Sequence, residues 1–311
     1  ILEKSIINHL FKGKAIIIYG ARQVGKTTIT KSIIEKSGKK TLWLNCDEFD
    51  TRELLTNTNS VKLKNLSQGH KIVVLDEAQR VEDIGLTIKI FTDTLPDVQI
   101  IATGSASFEL AAKISEPLTG RKYEFHIYPL SFKEMAEQNG LLQEGRMLEH
   151  RLIFGYYPEI VSKQEEEKEL LSMLASSYLY KDILTIDKIN KPELIEKLVK
   201  ALALQTGNEV SYNELSSLLG ADKNTIEKYI NILEKAFVVF RLNSFSQNVR
   251  SEIKKSRKIY FYDNGILNAI LSNYNDIAGR NDKGALWENF IVSERKKAFN
   301  NAGVFYKQFF W

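Results

Sequence analysis

An apolar, β-prone run, AIIIYG (Ala15–Gly20), leads straight into ARQVGKTTITKSIIEK, where a second glycine at Gly25 is followed by Lys26, Thr27 and helical spacing. A strand that turns into a helix through glycines gathers backbone N–H groups around one point, and the positive end of the helix dipole adds to their field. Glycine lets that backbone approach a ligand closely. The spacing G-x-x-x-x-G-K-[ST], filled by Gly20, Gly25, Lys26 and Thr27, suits a polyphosphate: Lys26 brings a point charge to the β and γ phosphates, and Thr27 a hydroxyl ligand for Mg²⁺. Gln23, Val24 and Thr28 complete the cradle, with Arg22 and Gln23 as secondary contacts. Nucleotide binding is therefore expected, the alternative being a plain glycine-rich turn.

With 311 residues, the chain has room for two domains and part of a third. A hydrophobic content of 43% beside 26% charged residues is that of a soluble globular protein. No apolar run approaches the roughly 18 residues that a membrane span needs, and no signal-like start is visible, so a cytoplasmic protein with no membrane partner is expected. The sequence starts at Ile1 and ends at Trp311 after VFYKQFF, and it reads as a fragment. The single cysteine, Cys46, excludes an internal disulfide framework and reads as a small buried residue. His9, His70, His126 and His150 are scattered without metal-ligand spacing, so no intrinsic metal site is expected. A net charge of +4 does not by itself imply nucleic acid.

From Ile1 to about Phe132, short apolar strands alternate with helical patterns: AIIIYG, TLWLNC, KIVVLD, VQIIATG and KYEFHIY. That alternation predicts an α/β domain, a parallel sheet with helices on both faces. After Pro129 helical patterns dominate, as in EEEKELLSMLASSYLYKDIL and PELIEKLVKALALQ, with turn residues in EQNGLLQEG marking a boundary. The expected division is an ATP-binding domain over 1–140, a helical linker or lid over 141–205, a winged helix-turn-helix over 206–262, and a further module from 263 to 311.

KIVVLDEAQR ends a buried strand in two carboxylates. Downstream of a phosphate loop, Asp76 is the candidate to hold Mg²⁺ and Glu77 the candidate to polarise the attacking water, with acidic turn residues as the alternative. Thr103 and Ser105, at the end of VQIIATGSAS, are either contacts to the γ phosphate or water, or ordinary loop hydroxyls. Arg121, in PLTGRKYEF, is either charge compensation at the γ phosphate of its own or a neighbouring subunit, which in the second case implies a homo-oligomer, or a solvated arginine. A guanine-reading NKxD after a strand is missing, since NKPE at Asn190 precedes a proline-started helix; adenine is the expected base, and ATP the expected nucleotide.

In SYNELSSLLGADKNTIEKYINILEKAFVVFRLNSF, Ser211 is expected to cap a short helix that ends at Gly220, and a second helix from about Asn224 to place Ile226, Ile230, Leu233 and Phe237 on one face. Two helices across a short turn make a helix-turn-helix, with AFVVFRLNSF and SRKIYFYD pairing as a wing. Lys223, Asn224, Lys228, Asn231 and Lys235 lie off the apolar face, and Arg250, Lys254, Lys255, Arg257 and Lys258 form a basic stretch at the wing. Double-stranded DNA is one expected partner; packing between domains is the other reading, since Glu227 and Glu234 share that helix surface.

GARQVGKT, VVLDEAQR, ATGSAS, LTGRKYEFHIYPLSFKE, FGYYPEIV, KDIL, KIYFYDNGILNA and GALWEN together resemble the prokaryotic AAA-type ATPases whose ATP-binding domain is followed by a C-terminal domain of unknown function that looks like a restriction endonuclease. The resemblance implies Gly25, Lys26 and Thr27 at phosphate and Mg²⁺, Asp76 and Glu77 as the acidic pair, and Thr103 and Arg121 as sensor and finger. It also implies that the chain breaks off at QFFW within the nuclease-like part, where Glu288 matches the first acidic position. A metal-dependent nuclease needs a later Asp and Glu-x-Lys, and none follows, so no nuclease activity is expected of this chain. Glu288 reads instead as a solvated or capping residue. Three functions remain: an ATPase coupled to DNA or a protein partner, a DNA-binding regulator with nucleotide as a structural ligand, and an ATP-gated nuclease in a longer protein.

Overall fold

In the computed structural model the described residues are 2–104, 114, 117–177, 191–245, 257–304 and 306–310. They fall into two compact units, 1–127 and 128–311. Ser105, Asn190, Arg250, Lys254 and Lys255 lie outside the described residues.

Five strands make up the sheet of the first unit: β1 (Ala15–Gly20), β2 (Thr41–Asn45), β3 (Ile72–Asp76), β4 (Gln99–Gly104) and β5 (Lys122–Ile127). Their order is β2-β3-β4-β1-β5 and every pairing is parallel. The unit is thus the α/β fold expected of a P-loop protein. β1 and β4 are buried along their whole length, which is why AIIIY and QIIAT read as continuous apolar runs rather than alternating ones. β2 and β5 lie at the sheet's edges, and both carry partly exposed residues. One topological consequence matters for function. Because β4 lies between β1 and β3, its carboxyl end comes between the loop that follows β1 and the acids that end β3.

The second unit opens with Phe132–Asn139, a helix started by a capping box in which Ser131 and Glu134 satisfy each other's backbone. Short helices follow at Leu141–Arg146, Leu148–Phe154 and Pro158–Ser162, then Glu167–Ser177 and Pro192–Leu204. Ser211 accepts from the Glu214 N–H at the start of the helix Tyr212–Leu219, and Gly220 ends it in the left-handed region at φ 61°. The next helix, Lys223–Lys235, is capped by Asp222. It buries Ile226, Ile230 and Leu233 as expected, but Phe237 lies beyond its end at φ 59° and reaches the core from the turn.

Strands β6 (Glu209–Val210), β7 (Val239–Ser244), β8 (Arg257–Phe261) and β9 (Phe309–Phe310) form a second sheet in the order β6-β8-β7-β9. β7 and β8 pair antiparallel, as expected of AFVVFRLNSF and SRKIYFYD, and β9 joins β7 in parallel. Residues 263–311 are therefore built into the same unit as the helices Tyr212–Leu219 and Lys223–Lys235.

Buried side-chain-to-backbone bonds hold that unit together. Asp263 caps the helix Asn264–Leu271 through the Ile266 N–H (3.2 Å) and also accepts from the Tyr156 N–H (2.7 Å). Asn268 donates to the carbonyls of Leu152 and Ile153, and Asn264 to those of Leu152 and Leu286. Asn289 exchanges two bonds with the Phe261 backbone and donates to the Asn264 side-chain Oδ1 at 2.7 Å. The runs FGYYP, YDNGILNA and GALWEN thus interlock as a buried polar framework, in which each amide replaces a helix-end or strand-end partner that water cannot supply.

Candidate nucleotide-binding site

β1 ends at Gly20, where a β-carbon would come within 2.4 Å of the Ile127 carbonyl oxygen on β5, so only glycine fits. The loop then rises through Gln23 (φ 58°) and Gly25 (φ 93°), both in the left-handed region, before the helix Lys26–Ser37 begins. Backbone N–H groups in such alternating conformations point inward to an anion-sized hollow. Lys26 is only 6% exposed, and its ammonium donates to the carbonyls of Gly20 (3.0 Å) and Ala21 (2.7 Å). The charge that would meet a phosphate is thus held by the loop that would bind it. Thr30 donates to the Lys26 carbonyl at 2.8 Å and steadies the first turn.

Three further polar groups converge on this loop. Thr27 Oγ1 lies 3.4 Å from Asp76 Oδ2. Thr103 Oγ1 donates to the other oxygen, Asp76 Oδ1, at 2.5 Å, and accepts from the Glu77 N–H at 3.2 Å. Glu77 stands at φ 53°, and its Oε2 accepts from the Gln79 side-chain amide at 2.5 Å. One hydroxyl and one carboxylate side by side are the hard oxygen donors that Mg²⁺ prefers, and they are few enough to leave the remaining positions to water and phosphate. No group of three or more His, Cys, Asp or Glu side chains able to hold a metal occurs among the described residues. The Thr27 and Asp76 oxygens fit a hydrated ion by their own chemistry.

Thr103 holds the acidic pair. Its hydroxyl donates to Asp76 and accepts from the Glu77 N–H, which ties the two carboxylate residues together at the end of β4. Gln79, buried in the 3₁₀ turn Ala78–Arg80, was not foreseen at all, although the run DEAQ places its amide two residues beyond Glu77, within reach across a tight turn.

Arg121 requires a correction. It precedes β5, and its carbonyl accepts from the Ala15 N–H (2.9 Å) at the amino end of β1. β1 is six residues long, so Arg121 lies about 17 Å from the phosphate loop, at the opposite edge of the sheet. Its guanidinium pairs with Asp93 at 2.6 Å. A finger role within its own chain is excluded by strand direction.

Cys46, at the end of β2, is fully buried, and burial first, then the neighbouring carboxylates of Asp76, Asp47 and Glu77, push its thiol up to about 12. It is a packing residue, as expected.

In the second unit, Lys223, Asn224 and Lys228 are exposed on their helix. Asn231 and Glu234 are not available in the way the sequence suggested: both accept from the Arg241 guanidinium on β7, and Arg241 also donates to the Tyr212 hydroxyl. Glu288 is no cap, and its side chain, 42% exposed, is partly solvated and also paired. It accepts from Lys258 (3.0 Å) and Tyr260 (2.7 Å), two hydrogen bonds that outweigh burial and hold its carboxyl below the usual range.

Residues 12–136 match the family model of the AAA domain, and residues 145–276 match a domain of unknown function (DUF8612). The chain is 25% identical over 270 residues to an uncharacterized protein of Haemophilus influenzae, covering 80% of this chain and 67% of that protein. It is 26% identical over 294 residues to the uncharacterized protein Rv2008c of Mycobacterium tuberculosis, covering 92% and 63%. It therefore spans about two thirds of the length of these relatives. In fold it resembles the Walker-type ATPase PABY2304 of Pyrococcus abyssi, at a TM-score of 0.61 and 15% identity, over 86% of this chain and 94% of the other. The first unit thus combines the phosphate-loop motif and the acidic pair with a parallel sheet of the P-loop fold. Among the described residues, no helix is long and apolar enough to cross a membrane.

Proposed function

We propose that the chain hydrolyses ATP with Mg²⁺ and couples nucleotide binding and turnover to its second unit, which contacts DNA or a protein partner in the cytoplasm. One observation carries the reading: the phosphate loop and the pair Asp76 and Glu77 meet at one edge of the sheet, with Thr27 and Asp76 oxygens 3.4 Å apart. Gly20, Gln23, Val24, Gly25, Thr27 and Thr28 offer the backbone and hydroxyl contacts for the phosphates. Lys26 leaves its loop carbonyls to stabilise charge on the β and γ oxygens, where an ammonium in a preorganised site lowers the barrier. Thr27 and Asp76 would hold Mg²⁺, which when bound would supply positive charge to the phosphate oxygens. Glu77 orients the water and takes its proton. Arg121 supplies charge only to a neighbouring subunit of a homo-oligomer.

In the same reading, residues 1–140 are the ATP-binding domain, 141–205 a helical linker, and 206–262 a winged helix-turn-helix that meets duplex DNA through exposed Lys223 and Lys228, with Lys254 and Lys255 beyond the described residues. Residues 263–311 pack into the same compact unit as that module. A purely DNA-binding regulator, with nucleotide as a structural ligand, is favoured only by those exposed lysines.

Phosphate release by wild type, Lys26→Ala and Glu77→Gln decides between them. The ATPase requires both variants to fall by at least about a hundredfold, and equal rates in all three would end it. Anisotropy with duplex DNA across a salt series tests the partner, because phosphate contacts weaken as salt rises.

A further inference from the structure

We propose that Gln79 is a positioning residue for the water-activating carboxylate, fixing Glu77 through its side-chain amide; the inference rests on the ATPase reading above. Glu77 occupies φ 53°, a region uncommon for any residue with a β-carbon other than Asn, Asp or His. Its conformation is held at three points. The Glu77 N–H donates to Thr103 Oγ1 (3.2 Å), its carbonyl accepts from the Arg80 N–H (3.0 Å), and its Oε2 accepts from Gln79 Nε2 (2.5 Å).

Gln79 is 6% exposed, so its amide is itself immobilised by packing in the turn Ala78–Arg80. A glutamate at the end of a strand has three side-chain torsions to settle before it can take a proton from a water at one defined point. Tying Oε2 to a buried donor selects one of those arrangements and leaves Oε1 to face the water. The amide does not touch substrate. It acts through Glu77, and a placement error of about 1 Å in such a group costs up to roughly a hundredfold in rate.

The experiment is a double-mutant cycle on the full chain, with phosphate release from Mg·ATP measured for wild type, Gln79→Met, Glu77→Gln and the double variant. Methionine keeps the length and volume of the side chain and removes the amide. Gln79→Met is expected to lower kcat by roughly 10- to 100-fold with KM within about twofold, and to lower nothing further in the Glu77→Gln background. Equal falls in both backgrounds, or a raised KM with kcat intact, would overturn the assignment.

A second measurement reads the contact without turnover. In ¹⁵N-resolved spectra, the Gln79 side-chain proton bonded to the carboxylate is expected to lose its downfield position in Glu77→Ala; an unmoved resonance overturns the proposal. Wild-type phosphate release no faster than that of Lys26→Ala would end the ATPase reading, and with it the role in water activation. The amide resonance would still decide separately whether Gln79 holds Glu77.

Discussion

Thr103 on β4 and Asp76 on β3 share a hydrogen bond of 2.5 Å, and the same hydroxyl accepts from the N–H of Glu77 at 3.2 Å. A hydroxyl has one proton to give, and here it goes to the carboxylate that borders Thr27. Thr103→Val removes that donor and leaves the half-buried Glu77 N–H without its acceptor. The expected outcome is unchanged ATP affinity by calorimetry with kcat lowered by roughly a hundredfold, and recovery of most of it in Thr103→Ser. A loss confined to nucleotide affinity would mean that Thr103 meets phosphate instead.

Gly20 and Gly25 are both glycines of the phosphate loop, but for different reasons. A β-carbon on Gly20 would strike the Ile127 carbonyl at 2.4 Å, and that oxygen belongs to the paired strand and cannot turn aside. Gly25 has open space around it and is constrained only by its φ of 93°. Gly20→Ala is therefore expected to lower the stability of the unit by about 1–3 kcal/mol in urea unfolding. Gly25→Ala costs about 1–2 kcal/mol through its backbone and chiefly weakens nucleotide binding.

The phosphate loop and acidic pair were legible because each is written locally. Gly20 and Gly25 mark a change of hydrophobic period, and Asp76 and Glu77 end an apolar run. The opposite edge of the sheet was legible in principle: Arg121 comes before a strand, and in a parallel sheet that puts it at the end away from the loop. What no period could disclose is the pairing of side chains with distant backbone, such as Asn268 with Leu152 and Ile153, or Arg241 with Asn231 and Glu234. Asn264, Asn268 and Asn289 are polar residues on helix faces, and from spacing alone they are indistinguishable from solvent-facing ones. Their burial is decided by the elements that pack over them.

Gly155 and Asp263 show how tightly that framework closes. Gly155 has φ 73° and ψ −157°, a combination reached essentially by glycine alone, and a β-carbon there would lie 2.0 Å from Asp263 Oδ1. Gly155→Ala therefore forces the buried Asp263 carboxyl away from the N–H groups of Tyr156 and Ile266. Denaturant unfolding followed by tryptophan fluorescence is expected to show a loss of about 3–5 kcal/mol, or no folded second unit. Stability within about 0.5 kcal/mol of wild type would show that the framework yields more easily than its contacts suggest.

Arg121 pairs with Asp93 at the amino edge of the sheet. Arg121→Ala is expected to leave turnover within about twofold of wild type when the protein is dilute enough to be monomeric. If copies assemble so that one supplies charge to the next, wild-type turnover rises with protein concentration and the variant's does not. A fall of tenfold or more in the dilute variant would contradict the strand geometry.

His150 faces Glu167 at 3.2 Å, on the helix Glu167–Ser177. Burial lowers the imidazole below its ordinary 6.5, and Arg151 adds to the effect; Glu167 pulls the other way without reversing it. Folded His150 thus releases its proton more readily than unfolded His150 does. Between its folded value and 6.5 the unfolded chain carries more protons, so this residue's contribution to stability is complete above 6.5 and is lost as pH falls through the folded value. Thermal unfolding followed across about pH 5 to 8 should therefore give a midpoint that drops on acidification, and His150→Gln should flatten that slope. A wild-type midpoint that rises on acidification, with the rise abolished in His150→Gln, would mean that the ion pair with Glu167 outweighs the cost of burying the charge.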